Sequence, residues 1–208
     1  MTKIILVRHA ECIGNVTNSL TGRKEFELSE KGKQMAEELA ETLKNIKIDA
    51  IYSSPSVRCI DTIKPISLIK KLKITTDENL MEKYFGIYDG MKWEDVDKIN
   101  PEIKKNKKIY HQIIGIPKQE TTEQVEKRMK ECIIKIAKEN DKKTILICSH
   151  GCAIFTFLNS IEYIENPEKR EKYSQSNACI NELEYENGKF KILKINQTSH
   201  IKQREIAK

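Results

Sequence analysis

The sequence has six cysteines but no CxxC pair. Cys12, Cys59, Cys132, Cys148, Cys152 and Cys179 are scattered along it, which argues against a secreted disulfide framework and for free thiols in a reducing compartment. Long hydrophobic runs are missing too. The first apolar stretch, Ile4 to Val7, is stopped at once by Arg8, so no secretory leader is expected. No stretch approaches the ~20 apolar residues that cross a bilayer. There is no internal repeat and no low-complexity segment. The expectation is a soluble, cytoplasmic chain with one domain spanning residues 1–208 and no membrane partner; the oligomeric state stays open.

One-signed charge blocks are also scarce. The 37 Lys and Arg exceed the 31 Asp and Glu, for a net charge of +6. The two signs are interleaved, as at Glu30-Lys31, which is how solvated helix faces look. No nucleic-acid partner is expected from this pattern. A basic surface field suits small anionic ligands instead.

What is present is an alternation of short apolar runs with segments of helical period, the mark of an α/β fold with a mostly parallel central sheet flanked by helices on both faces. The runs are Ile4 to Val7, Ala50 to Tyr52, Leu72 to Thr75 and Ile145 to Cys148. Ser29 is placed to cap a helix carrying Met35, Ala36, Leu39, Ala40 and Leu43 on one face. Ser54-Pro55 reads as a cap followed by a first-turn proline, and Pro65 is expected to end or kink that helix. Thr122 to Glu139 reads as an amphipathic helix, and a buried helix is expected to start at Gly151. Ile180 to Tyr185, the turn Asn187-Gly188 and Phe190 to Ile195 predict a C-terminal antiparallel hairpin. Residues 91–118 read as an irregular helical insertion over the carboxyl edge of the strands.

Ligands bind beyond the carboxyl ends of strands in such sheets. Arg8 and His9 follow the first run, Ser53, Ser54 and Arg58 the second, Glu82 the third and His150 the fourth, so parallel strands bring them to one edge. The set suits a phosphoryl group. Guanidinium matches phosphate oxygens bidentately, neutral imidazole is a nucleophile near neutral pH, and a carboxylic acid can protonate a leaving alcohol and later activate water. His111 and His200 read as ordinary surface or packing residues. Cys148-Ser149-His150-Gly151-Cys152 has no common zinc spacing, so no metal is assigned. Trp93, Tyr84, Phe85 and Tyr88 read as packing residues at the mouth.

Over nearly its whole length the sequence resembles the histidine phosphatase superfamily, the phosphoglycerate-mutase-like proteins. The matching blocks are Arg8-His9-Ala10-Glu11 with Asn15, Thr21-Gly22, Leu28 to Gly32, Ser53 to Thr62, Leu80 to Gly90, Ser149-His150-Gly151 and Asn177 to Ile180. The resemblance implies that His9 is phosphorylated and that Arg8, Arg58 and His150, assisted by Asn15, hold the phosphoryl oxygens. It implies that Glu82 is the general acid and base, and that Thr21 and Gly22 meet the non-reacting part of the substrate. No metal or organic cofactor is implied.

Two positions depart from the pattern. Ala10 stands where the motif usually has Gly, so a positive φ there would be strained, and Gln119-Glu120 replaces a Gly-Glu. Glu82 is followed by Lys83-Tyr84-Phe85-Gly86 rather than the Arg-His pair of the cofactor-dependent mutases. This favours a metal-independent phosphatase acting on a small phosphorylated metabolite. α-Ribazole 5′-phosphate, sugar phosphates and phosphoglycerates all stay open, with Lys104, Lys105, Lys107 and Lys108 of the insertion expected on the specificity wall. The alternatives are a phosphoglycerate mutase and a catalytically silent phospho-ligand-binding adaptor.

Overall fold

The computed structural model describes residues 1–101, 116–162 and 171–202. His111 and the insertion lysines lie outside them. Along the chain run β1 (Thr2–Arg8), α1 (Ile13–Val16), α2 (Glu30–Leu43), β2 (Ala50–Ser53), α3 (Val57–Lys70), β3 (Ile74–Thr76), α4 (Trp93–Ile99), α5 (Thr122–Glu139), β4 (Thr144–Ser149), α6 (Gly151–Ile161), β5 (Ile180–Glu186) and β6 (Lys189–Gln197). The strands form one sheet in the order β3-β2-β4-β1-β5-β6. The first four in that order are parallel, and β5 and β6 are antiparallel. The α/β class, the mostly parallel sheet and the C-terminal hairpin are as expected.

Period-two alternation explains the layering. In β1, Ile4 and Leu6 join Ile145 and Ile147 of β4 against Val125, Met129 and Ile133 of α5 and Ile154, Phe157 and Leu158 of α6. Ile5 and Val7 face the other way with Leu146 and Cys148, against Leu39 and Leu43 of α2 and Cys59, Ile63 and Ile66 of α3. Both faces of the central strands are buried, which is why they read as continuous apolar runs.

Local signals set the helix ends. Ser29 Oγ accepts the Gly32 amide at 2.9 Å and starts α2. Thr121 and Gln124 form a reciprocal capping box at α5. One expectation fails at α3. Its N-cap is Ser56, not Ser54, because the Ser54 amide still extends the sheet to Cys148 O (2.9 Å) and its hydroxyl faces His150. Pro65 lies inside the helix without ending it. Only one main-chain bond, to the Asp61 carbonyl, is lost there, while Cys59, Ile63 and Ile66 anchor the same helix in the core. In the hairpin, Asn187 and Gly188 both have positive φ, as a two-residue type I′ turn requires. Trp93, Phe85 and Tyr88 are buried with Leu20, Val96 and Ile116 in a separate cluster. No helix among the described residues is long and apolar enough to cross a membrane.

Candidate active site

The carboxyl ends of β1 and β4 lie side by side, with Arg8 paired to Ser149 in register. His9 continues the ladder by one step, its amide donating to Ser149 O at 3.0 Å. Its side chain is buried, with Nδ1 2.7 Å from Ala10 O. A carbonyl only accepts, so Nδ1 carries the proton and Nε2 keeps its lone pair. Burial, then the positive charges of Arg58 and Arg8, hold the His9 pKa well below the ordinary imidazole value. The result is a neutral imidazole whose Nε2 lone pair is left free because the Ala10 carbonyl holds Nδ1.

Ala10 fits without strain, since its φ is not positive. Its amide donates to Thr62 Oγ1 at 2.8 Å, and its methyl packs with Cys12, Leu28, Met35, Ala36 and Ala178. The concern raised by the missing glycine does not arise.

Arg58 lies on the first turn of α3 and is 0% exposed. Its Nη1 donates to Lys24 O at 3.0 Å, and its Nη2 to Gly22 O at 2.6 Å and His150 Nδ1 at 3.0 Å. Arg8 donates from Nη1 to Gln175 O at 2.5 Å. The Nε of each guanidinium is buried without a hydrogen-bond partner among the described residues. Two guanidiniums, each with a buried Nε–H left over, are what a phosphoryl group needs. His9 and His150 meet edge to face, with ring centroids 5.3 Å apart. Burial first, then Arg58 and His9, push the His150 pKa well below its ordinary value.

Glu82 reaches the same edge from a loop after β3. Its carboxylate accepts the amides of Lys83 (2.8 Å), Cys152 (3.0 Å) and Ala153 (2.9 Å), the latter two in the first turn of α6. That helix end favours negative charge, and Arg58 and Arg8 add to the effect, yet burial outweighs all of them and raises the Glu82 pKa. A raised pKa favours the protonated form, which a carboxyl that gives up a proton requires.

The remaining expected residues sit around this centre. Asn15 Oδ1 accepts the Cys12 amide at 3.0 Å and Asn177 Nδ2 at 3.2 Å, and Asn177 Nδ2 also reaches His9 O at 3.2 Å. Thr21 is buried, with its methyl against Gly14. Gly22 offers its carbonyl to Arg58, and a Cβ there would come 1.6 Å from Asp89 Oδ1. Asp89 accepts the amides of Arg23 and Lys24, each at 2.9 Å from Oδ2, and so shapes the loop that grips Arg58. The sequence assigns no role to Asp89 or Gln175, because single polar residues in loops look like surface. His200 is half-buried and bonded to Ala178 O, outside the cluster. No group of three His, Cys, Asp or Glu able to hold a metal occurs among the described residues.

The chain is similar to known proteins over most of its length. Phosphoserine phosphatase 1 of Hydrogenobacter thermophilus is 29% identical over 97% of this chain and 95% of its own. Among solved structures, Bacillus stearothermophilus YhfR superposes with a TM-score of 0.88 at 24% identity, covering 97% of this chain and 100% of that one. Phosphoserine phosphatase from Entamoeba histolytica, in complex with 3-phosphoglyceric acid, superposes with a TM-score of 0.80 at 29% identity, covering 97% of this chain and 100% of that one. The sequence profile of the histidine phosphatase superfamily (branch 1) matches residues 4–198, and the chain belongs to that family.

Proposed function

We propose that this chain is a metal-independent phosphomonoesterase that works through a phosphohistidine on His9. The observation that carries the reading is the His9 Nδ1–Ala10 O bond of 2.7 Å, which leaves Nε2 as the nucleophile beside the cationic groups of Arg8 and Arg58. In the first step His9 Nε2 attacks phosphorus and the ester P–O bond breaks, while protonated Glu82 gives its proton to the leaving alcohol. Arg8, Arg58 and His150, with Asn15 assisting, hold the phosphoryl oxygens as charge shifts onto them. In the second step the Glu82 carboxylate takes a proton from water, which attacks the phosphohistidine and releases orthophosphate.

Relatives named as phosphoserine phosphatases support a small metabolite bearing both a phosphomonoester and a carboxylate as substrate. Thr21 and Gly22 would line the side where its carbon skeleton enters. The test is orthophosphate release from phosphoserine, 3-phosphoglycerate and sugar phosphates in excess EDTA. Turnover is expected to persist with the chelator and to vanish in His9→Ala. Full activity in that variant would remove His9 as nucleophile, and exchange between 2- and 3-phosphoglycerate faster than phosphate release would replace hydrolysis with mutase chemistry.

A further inference from the structure

Glu82 sits on a segment with little regular structure of its own. Only the 3₁₀ turn Glu78–Leu80 precedes it, yet a proton donor must be held within a fraction of an ångström to act. The amides of α6 orient its carboxylate, but they do not hold the chain that carries it. Ser149 Oγ holds the Leu80 carbonyl at 2.7 Å, and the two carbonyls flanking Leu80 are held by Arg128, on the second turn of α5. Its Nη1 donates to Asn79 O at 2.8 Å and Met81 O at 2.6 Å. Its Nε and Nη2 form a fork on Glu120 at 2.6 and 3.0 Å.

Glu120 closes the bracket, because its Oε2 accepts the Tyr84 amide at 3.2 Å. The pair thus grips the backbone on both sides of Glu82. The same Oε2 is 3.4 Å from Arg23 Nη2, in the residue after the Gly22 carbonyl that holds Arg58. Both partners are only 12% exposed, so this fork is far less screened than a surface ion pair. Burial opposes the Glu120 charge, but the bonds from Arg128 and Tyr84 outweigh it and keep its carboxyl below the usual range.

We infer that Arg128 and Glu120 are positioning residues for Glu82, setting where its carboxyl meets the leaving-group oxygen without touching a reacting atom. The inference rests on the acid–base role proposed for Glu82. In this pair Gln119, the residue that departs from the pattern, accepts the Ile116 amide at 3.2 Å, whereas Glu120, which keeps the pattern, helps mount the general acid.

The experiment compares kcat on phosphoserine, whose alkoxide needs a proton to leave, with kcat on p-nitrophenyl phosphate, whose phenolate does not. The variants are Glu82→Gln, Arg128→Lys, Glu120→Gln and the double variant Glu82→Gln/Arg128→Lys, with melting temperature as the folding control. Arg128→Lys keeps the charge but loses the fork, and Glu120→Gln keeps the shape. Each is expected to lose about tenfold more on phosphoserine than on p-nitrophenyl phosphate, a fraction of the ~10²–10⁴ that a general acid supplies. The double variant is expected to lose no more on phosphoserine than Glu82→Gln alone. Equal losses on both esters, or additive losses in the double variant, would reduce Arg128 and Glu120 to structural residues. If Glu82→Gln itself lost equally on both esters, the acid role would fall and this inference with it.

Discussion

Arg58 Nη2 lies 3.0 Å from His150 Nδ1, and this contact assigns the tautomer of His150. A guanidinium in a protein only donates, so Nδ1 accepts and the ring proton sits on Nε2, pointing to Ser54 Oγ at 2.8 Å. His150 and His9 are therefore both neutral, with opposite nitrogens protonated. Arg58 supplies the charge that two facing imidazoles could not carry together.

Arg58→Lys tests that division of labour. A lysine ammonium is a point charge and cannot reach Gly22 O, Lys24 O and His150 Nδ1 from one rigid fork. The expected outcome is a fall of about 10²–10³ in kcat/KM, measured by orthophosphate release. A loss of less than about tenfold would show that charge alone suffices.

The pH–rate profile follows from two opposite shifts. The proposed first step needs His9 neutral and Glu82 protonated. Burial with Arg58 and Arg8 lowers the His9 pKa from 6.5, so the acid limb of kcat/KM moves below that value. Burial raises the Glu82 pKa from 4.5, so the alkaline limb moves above it. In Glu82→Gln the alkaline limb is expected to disappear with phosphoserine as substrate; its persistence would assign that limb to another group.

Stability should respond to pH in a definite direction. The folded pKa values of His9 and His150 both lie well below 6.5. Above that pH neither the folded nor the unfolded state binds these protons. Below it the unfolded chain takes them up first, so stability falls as pH drops, by at most about 1.4 kcal/mol per pH unit for each histidine. Glu82 has the reverse sign, its contribution being lost as pH rises from 4.5. Melting temperatures between pH 7.5 and 5.5 should drop in the wild type and drop less in a His150→Ala variant; parallel curves would refute the assignment.

Two small-residue substitutions separate local fit from family habit. Ala10→Gly restores the commoner motif residue, but Ala10 is 0% exposed and has no positive φ. It is expected to destabilise by about 0.5–1 kcal/mol without raising kcat. Gly22→Ala drives a Cβ into the Asp89 carboxylate and should loosen the Gly22 carbonyl from Arg58, lowering kcat/KM and melting temperature together. Unchanged kinetics in Gly22→Ala would mean that the Arg58 grip does not depend on this loop.

Much of the fold was legible because its signals are local. The apolar runs found the strands, Ser29 the start of α2, and Asn187-Gly188 the hairpin turn. Ser54 and Pro65 both answer to contacts beyond their own stretch. Ser54 was read as a helix cap, but its amide bonds to Cys148 and its hydroxyl meets His150, partners nearly a hundred positions away. Of the two outcomes expected at Pro65, an end or a kink, the end does not occur, because Cys59, Ile63 and Ile66 hold α3 in the core on both sides of it.

The same division runs through the site. The sequence by itself determined which side chains leave the strand ends, because buried parallel strands read as apolar runs and their carboxyl ends must share an edge. Arg8, His9, Arg58 and His150 follow from that alone. Only the tertiary structure decided which histidine nitrogen stays free, that Glu82 rests on the first amides of α6, and that Gly22 and Lys24 carbonyls grip Arg58. Those outcomes are hydrogen bonds between segments distant in the chain, and the period of a local stretch records how it is buried, not what it meets.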